Sequence, residues 1–421
     1  MDINGEKPKI SYETLWKFII RPPRDNYTED LLGPPVFMFK GKTYIRKDYD
    51  LISCEGYIMK CSFFEPDELY RPRKIMPVVI YLHGNSSSRL EGIHLIKDLL
   101  KNDINLFVVD FPGCGLSEGE YISLGYHESH NVKILVDFIE NLPGVGYIGL
   151  WGRSMGAATT MIYAHKDERI KAICMDSPFA DFSILAKDLV LKQIKLPTLL
   201  VEGALKIVKM TIKKKNGLDI EKLKPIDSAP KSTQPAIFIH ANDDELIDNK
   251  HSDMLISAYK GKDKTLKRCN GNHNSRRPNT LIREVGSFFY KHLVVEDHDN
   301  YNNLNTHKKH NMFDFLNNKK ENKGDNNKNI GNNINDNNNI KQNNNKMNNN
   351  TENQKNKNEI NDNNDMINQN EDDNKKYFEQ KEEKDKNEMK LLSNELSKIF
   401  QDTGKKKRNI DLNNDIDDNK K

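Results

Sequence analysis

Five short, uninterrupted apolar runs between residues 77 and 240 restrict the fold more than any other feature of this chain. Pro77-Val78-Val79-Ile80-Tyr81-Leu82 ends in His83-Gly84, and Leu106-Phe107-Val108-Val109-Asp110 closes in Phe111-Pro112-Gly113-Cys114-Gly115. Tyr147-Ile148-Gly149-Leu150-Trp151, Ala172-Ile173-Cys174-Met175-Asp176 and Ala236-Ile237-Phe238-Ile239-His240 follow, with Leu266–Cys269 a candidate sixth. A strand that is apolar on both faces has to be covered on both faces, as in a parallel sheet between helical layers. Between the runs, Ile93–Lys101, Ser129–Glu140, Ala157–Ala164, Asp248–Tyr259 and Ile282–His292 repeat apolar residues at three- and four-residue spacing, the helical period. Ahead of them, Val36–Ile45 and Gly56–Phe64 predict an antiparallel edge hairpin. The expected fold is α/β, a mostly parallel central sheet with helices on both faces.

This pattern does not fill the 421 residues. From 297 to 421 the chain is dominated by Asn, Lys, Asp and Glu, which cannot bury enough apolar surface to offset the entropy of ordering. That stretch is expected to be a disordered low-complexity tail, leaving 36–296 as one domain behind a polar, proline-punctuated lead, 1–35. Within the domain, about 182–234 interrupts the alternation. Its Leu199–Ile212 segment reads as an amphipathic helix ending in Lys213-Lys214-Lys215. Following the fourth parallel strand, it is either a cap over the carboxyl ends of the sheet, where ligands bind in such folds, or a helical insert that completes the core. The lysines read first as a solvated helix end and second as a peripheral membrane contact. In the tail, Met389, Leu392, Leu396 and Ile399 have the spacing of a short partner-binding helix, a pattern chance produces as readily. Lys405–Arg408 resembles a nuclear import signal, at little weight in a lysine-rich tract.

Charge and cysteine usage exclude several classes. The net charge of +3, from 65 basic and 62 acidic residues, lacks the excess of a nucleic-acid binder. No run approaches the ~20 apolar residues of a membrane span. The sequence Met1-Asp2-Ile3-Asn4-Gly5-Glu6-Lys7-Pro8 has no secretory core, and Asp2 stands where myristoylation needs Gly. Cys54, Cys61, Cys114, Cys174 and Cys269 are dispersed, so neither a disulfide frame nor a cysteine metal site is expected. These features predict a cytoplasmic protein.

The chemistry concentrates at Gly152-Arg153-Ser154-Met155-Gly156, a G-x-S-x-G that follows one apolar run and opens the helix at Ala157. Small residues are needed at both ends of so sharp a strand-to-helix turn, which lifts the serine hydroxyl above the sheet. A serine hydroxyl needs a base to take its proton and a carboxylate to orient that base. His240-Ala241-Asn242-Asp243-Asp244-Glu245-Leu246-Ile247 brings acidic groups to the carboxyl edge after the fifth run, and Gly271-Asn272-His273-Asn274 brings an imidazole after the sixth. Ser154, one of Asp243 or Asp244, and His273 are therefore expected to converge. Two backbone N–H groups must face the oxygen that becomes negative. Met155, after the nucleophile, and Asn85, in the His83-Gly84-Asn85-Ser86-Ser87-Ser88 loop, are the candidates. His83 reads as a buried anchor of that loop in preference to a second base.

With these motifs in order over roughly 36–293, the chain resembles the α/β-hydrolase superfamily, in its serine aminopeptidase/lipase-like branch. Phe18–Arg24 and His273-Asn274-Ser275-Arg276-Arg277-Pro278 are similar to a plant and protist subgroup. The resemblance implies the α/β-hydrolase fold and assigns the acid to Asp244, the position matching H-G-x-x-D-x-x-V, with Ala241 and Ile247 as mild departures. It implies hydrolysis through an acyl-enzyme, with no cofactor and no metal.

The expected activity is cleavage of carboxylic esters or thioesters: a lipid, a small acyl ester or an acyl-protein. A serine peptidase is the alternative within the class, with Glu245, Asp181 and Glu202 as candidate partners for a substrate amine. An idle fold serving as a scaffold, with an interaction tail, is the alternative outside it. Arg153, Arg276 and Arg277 read as salt-bridge partners and solvated loop ends before they read as contacts to an acidic substrate.

Overall fold

The computed structural model describes residues 16–17, 19–193, 198–295, 375–377, 379–380 and 383. Nearly all of the predicted tail, with its Met389–Ile399 periodicity and Lys405–Arg408, lies outside the described residues. Strands β1 (Val36–Phe39), β2 (Lys42–Ile52) and β3 (Ile58–Pro66) are antiparallel; β4 (Met76–Leu82), β5 (Asn105–Val109), β6 (Val145–Arg153), β7 (Ile170–Asp176), β8 (Ala236–Ala241) and β9 (Lys264–Cys269) are parallel. Among the described residues they form one sheet in the order β1-β2-β3-β5-β4-β6-β7-β8-β9, joined where β3 runs antiparallel to β5. The helices are α1 (Ile96–Leu100), α2 (Tyr126–Glu140), α3 (Met155–Ala164), α4 (Phe182–Gln193), α5 (Thr198–Asn216), α6 (Lys250–Ala258) and α7 (Asn279–Tyr290).

The continuous apolar runs are the central strands, and every residue of β4 and β5 is buried. Alternate side chains feed two cores, because successive Cβ atoms of a strand point to opposite faces. Val78, Ile80, Leu82 and Phe107 pack with Val132, Leu135 and Val136 of α2 and Met155 and Met161 of α3. Val79, Tyr81, Leu106, Val108 and Trp151 pack with Leu99 and Leu100 of α1 and Val285 and Phe289 of α7.

The antiparallel edge is larger than the predicted hairpin. The single run read over Val36–Ile45 breaks at Lys40 and Gly41, both at positive φ, into β1 and β2. β2 then continues to Ile52 through Arg46-Lys47-Asp48-Tyr49-Asp50, beyond the end of the predicted run. Cross-strand partners explain why they sit in a strand. Lys47 Nζ meets Glu65 Oε1 at 2.7 Å, Lys60 Nζ meets Asp50 Oδ2 at 2.8 Å, and Ser62 Oγ donates to Asp48 Oδ1 at 2.6 Å.

The lead packs into the body from Trp16 onward, with Trp16, Ile20, Tyr27 and Leu32 all buried. Tyr27 donates its hydroxyl proton to Asp110 Oδ2 at 2.7 Å and accepts from Arg89 Nε at 2.6 Å. Asp110 also accepts from the Arg89 N–H (2.6 Å) and the Leu116 N–H (3.0 Å), and Arg89 reaches Ser62 Oγ at 3.0 Å. Burial pushes the Asp110 carboxyl up, and Arg89 with the N–H donors only partly offsets this. The insertion leaves the carboxyl end of β7 and is packed into the first core through Val208 and Ile212 of α5. Of its terminal lysines, Lys213 pairs with Asp219 at 3.1 Å and Lys215 lies over the Trp16 ring at 4.4 Å. Among the described residues, no helix is long and apolar enough to cross a membrane.

Two stability predictions follow from the buried groups. Arg89 is 1% exposed and Asp110 0%, so Arg89→Met leaves a carboxylate without its counter-charge. Urea unfolding of that variant is expected to show a loss of about 3–5 kcal/mol. His94, beside α1, donates through Nδ1 to the Glu91 carbonyl at 2.6 Å, and burial with Arg276 and Arg153 nearby lowers its pKa to about 4. The unfolded chain therefore takes this proton first as pH falls, and stability drops between roughly pH 6.5 and 4, by up to about 3 kcal/mol. Unfolding free energies across that interval should lose this part of their slope in His94→Gln.

Candidate active site

Ser154 sits at the β6–α3 junction with φ 51°, a left-handed conformation for a residue with a side chain. The turn is held from below by the Ser154 N–H, which donates to the Asp176 carbonyl at the end of β7, 2.8 Å away. Both flanking glycines are required by backbone contact. A Cβ on Gly152 would lie 2.1 Å from the Gly156 carbonyl oxygen, and one on Gly156 would lie 1.9 Å from the Leu82 carbonyl oxygen of β4.

The structure brings Ser154, His273 and Asp244 together. His273 Nε2 is 3.0 Å from Ser154 Oγ, and its Nδ1 is 2.8 Å from Asp244 Oδ2. An ionised carboxylate only accepts, so Nδ1 carries the proton and Nε2 keeps a lone pair toward the serine hydroxyl. Asp244 also accepts at Oδ1 from the N–H groups of Leu246 (3.1 Å) and Ile247 (2.8 Å), and its Oδ2 lies 3.3 Å from His240 Nε2. Burial alone would raise the Asp244 pKa. His273, His240 and the backbone donors outweigh it and hold the carboxyl far below the usual carboxylate range. Asp243 is exposed, and its N–H bonds the Gly271 carbonyl at 3.0 Å; it takes no part in this chain of contacts.

The loop after β4 lies against Ser154: a Cβ added to Gly84 would lie 3.6 Å from Ser154 Cβ. His83 is the anchor the sequence suggested. Fully buried, it accepts from the Phe111 N–H at Nε2 (3.1 Å), and its Nδ1 lies 2.7 Å from the Gly84 carbonyl. Met155 is the first residue of α3, so its N–H has no intrahelical partner and points out of the positive end of the helix. Asn85 follows Gly84 in the turn, and its Oδ1 is buried with no hydrogen-bond partner among the described residues.

Arg277 is a buried structural partner. Its Nε contacts both Asp176 oxygens at 2.9 Å, while its other nitrogens reach the carbonyls of Asn272 (3.1 Å), Ser275 (3.0 Å) and His273 (3.3 Å). Arg153 is likewise half-buried in a salt bridge, and Arg276 is exposed. Asp181 accepts from the N–H groups of Ser183 (2.7 Å) and Ile184 (3.4 Å) at the start of α4 and pairs with Lys224 at 3.5 Å. Glu245 is exposed, and the side chain of Glu202 is outside the described residues. The sequence reading did not single out Tyr27, Arg89 or Glu91. Their only signal is their placement: a Tyr in the lead, and an Arg and a Glu inside an otherwise apolar stretch. Among the described residues, no group of three or more His, Cys, Asp or Glu is placed to hold a metal.

A family comparison agrees with this architecture. A model described as the alpha/beta hydrolase fold matches residues 77–199, from β4 through the start of α5. YqkD of Bacillus subtilis (strain 168) is 27% identical over 237 residues, 55% of this chain and 74% of that protein. YfhR of Salmonella typhi is 27% identical over 144 residues, 31% of this chain and 48% of that protein, so the chain spans about half of its length. Among solved structures, the esterase Pf2001 of Pyrococcus furiosus has 22% identity and a TM-score of 0.48, covering 64% of this chain and 98% of its own.

Substituting either glycine of the turn tests whether that backbone contact sets the site. Gly156→Ala should unfold the chain or destabilise it by well over the ~1 kcal/mol typical of a point substitution, read by urea unfolding. Gly84→Ala, whose added Cβ meets only ordinary contacts at 3.6–3.8 Å, should fold like the wild type by circular dichroism.

Proposed function

We propose that this chain, which belongs to the α/β-hydrolase superfamily, is a serine hydrolase that cleaves carboxylic esters or thioesters through an acyl-enzyme. One observation carries the reading: the continuous path Ser154 Oγ, His273 Nε2, His273 Nδ1, Asp244 Oδ2, with separations of 3.0 and 2.8 Å. His273 accepts the Ser154 proton as the hydroxyl attacks the substrate carbonyl. Asp244 holds the ring and stabilises the imidazolium that forms. The N–H groups of Asn85 and Met155 are the proposed donors to the oxyanion, the charge that develops in the transition state. The proton then passes from His273 to the leaving alcohol or thiol. Water, deprotonated by the same ring, releases the acid and restores Ser154.

Ester and thioester cleavage is favoured over peptide cleavage by what surrounds Ser154. An aminopeptidase holds the substrate's ammonium on a carboxylate. Of the described candidates, Asp181, just ahead of the insertion, is already committed to two N–H groups and to Lys224, and Glu245 is exposed. The substrate class is thus an acyl ester or acyl thioester, lipid, small-molecule or protein-linked. A scaffold would have no use for a carboxylate held so far below its ordinary pKa beside an oriented imidazole.

The test is fluorophosphonate labelling of the full chain beside Ser154→Ala, with p-nitrophenyl esters of increasing acyl length. Wild type should label and Ser154→Ala should not. Asp244→Asn should lower kcat by roughly 10³–10⁴-fold, through loss of the productive tautomer. A folded wild-type protein that fails to label and to hydrolyse any ester would overturn the reading in favour of the scaffold.

A further inference from the structure

Glu91 lies between three loops that the proposed chemistry uses. Its Oε2 accepts from the Gly84 N–H at 2.7 Å, fixing the peptide that leads into Asn85. Its Oε1 is 3.4 Å from Arg153 Nη1, in a pair whose side chains are 9% and 12% exposed. Arg153 immediately precedes Ser154, and its Nη2 donates to the carbonyls of His273 (2.8 Å) and Ser275 (3.3 Å). One carboxylate and one guanidinium therefore join the loop after β4, the serine turn and the histidine loop by four contacts. Arg277 grips the same two carbonyls from the other side, anchored on Asp176, whose own carbonyl holds the Ser154 N–H.

We propose that Glu91 is a positioning residue that, through Arg153, locks the oxyanion loop and the base loop into one register relative to Ser154. The proposal rests on the serine-hydrolase reading for its catalytic consequence, and on the geometry alone for the coupling itself. The histidine loop has no regular structure of its own. Residues 270–278 are bends and irregular backbone between β9 and α7, so the direction of the His273 ring depends on what holds its backbone. Arg153 and Arg277 do this. Asp176 fixes Arg277 from the strand side, and Glu91 fixes Arg153 from the oxyanion side. Because Glu91 also holds Gly84, a shift of either loop is transmitted to the other.

Two variants separate the contacts. Glu91→Gln keeps an oxygen acceptor for Gly84 and loses the charge opposite Arg153, whereas Glu91→Ala loses both. For a positioning role, kcat on a p-nitrophenyl ester should fall about 10-fold in Glu91→Gln and roughly 10²-fold in Glu91→Ala, with KM within about threefold of wild type. In a double-mutant cycle with Arg153→Met, the double variant should be little slower than the worse single one, because the two side chains act as a unit. Hydrogen–deuterium exchange supplies a readout independent of turnover. Peptides covering 83–89 and 270–278 should both lose protection in Glu91→Ala, while strand β7 keeps it. Independent, multiplying effects of Glu91 and Arg153, or an unchanged exchange rate at 270–278, would overturn the coupling. An inactive wild type whose 270–278 segment still loosens in Glu91→Ala would sustain the coupling and remove only the hydrolase reading.

Discussion

The near-contact of α3 with the carboxyl end of β4 is the constraint on which the rest of the site depends. β4 and β6 are neighbours in the sheet, so the chain leaving β6 must turn away within a residue or two of its partner's end. Only hydrogen at Cα fits at Gly152 and Gly156, where any side chain would meet a carbonyl oxygen near 2 Å. That approach has two consequences. It sets Ser154 in a left-handed conformation that lifts its hydroxyl off the sheet, and it brings the loop after β4 beside the N-terminus of α3. The proposed nucleophile and its candidate oxyanion donors are thus adjacent because two strands are.

What the turn does not supply is the position of the imidazole, and here buried charge takes over. Three ionic groups lie at or near the carboxyl edge: Asp110 with Arg89 and Tyr27, Asp176 with Arg277, and Glu91 with Arg153. Desolvating such pairs costs about as much as their attraction returns, so their net contribution to stability is small. Their value is directional, since a guanidinium presents several donors in a fixed plane and can hold several backbone carbonyls at once. The histidine loop uses this property, with carbonyls of residues 272, 273 and 275 all accepting from arginine side chains. An aliphatic core could cover that loop but could not orient it.

How much of this the sequence displayed follows from the range over which each interaction acts. The central parallel strands were legible because burial on both faces leaves a continuous apolar run, and Ser154 and Asp244 were legible because each follows such a run; His273 follows β9, a partly buried edge strand whose lysines and arginine leave only a candidate run. Asp244 needed the family resemblance to be separated from Asp243, since two adjacent carboxylates look alike until the turn decides which faces the ring. The extent of β2 was hidden because its charges are neutralised by residues ten to eighteen positions away, on a neighbouring strand. Glu91 was hidden for the same reason at longer range: its partners are at 84 and 153, and a glutamate among Leu90, Gly92 and Ile93 carries no periodic signal. Trp16, Ile20, Tyr27 and Leu32 are spaced too irregularly to announce a buried face, yet all four are buried.

The lead segment joins these levels. Tyr27 hydrogen-bonds Asp110, and Asp110 also holds the Arg89 and Leu116 backbones, so the segment before β1 is tied to the loops after β4 and β5. Asp25 accepts from Ser88 Oγ at 2.6 Å, two residues before the start of the buried Leu90-Glu91 pair. Arg24 donates to the carbonyls of Ser117 and Gly119 at 2.6 Å, in the glycine-bearing loop that begins at Phe111. Residues that precede the sheet in sequence thus brace the far side of the loop whose near side faces Ser154. The proposed oxyanion loop is held by His83 from its start, by Glu91 from the serine side and by Asp25 from the lead, three directions that leave its backbone little freedom. Fixing N–H groups before charge develops is what electrostatic stabilisation of an oxyanion requires, because dipoles already in place need no reorganisation when the reaction occurs.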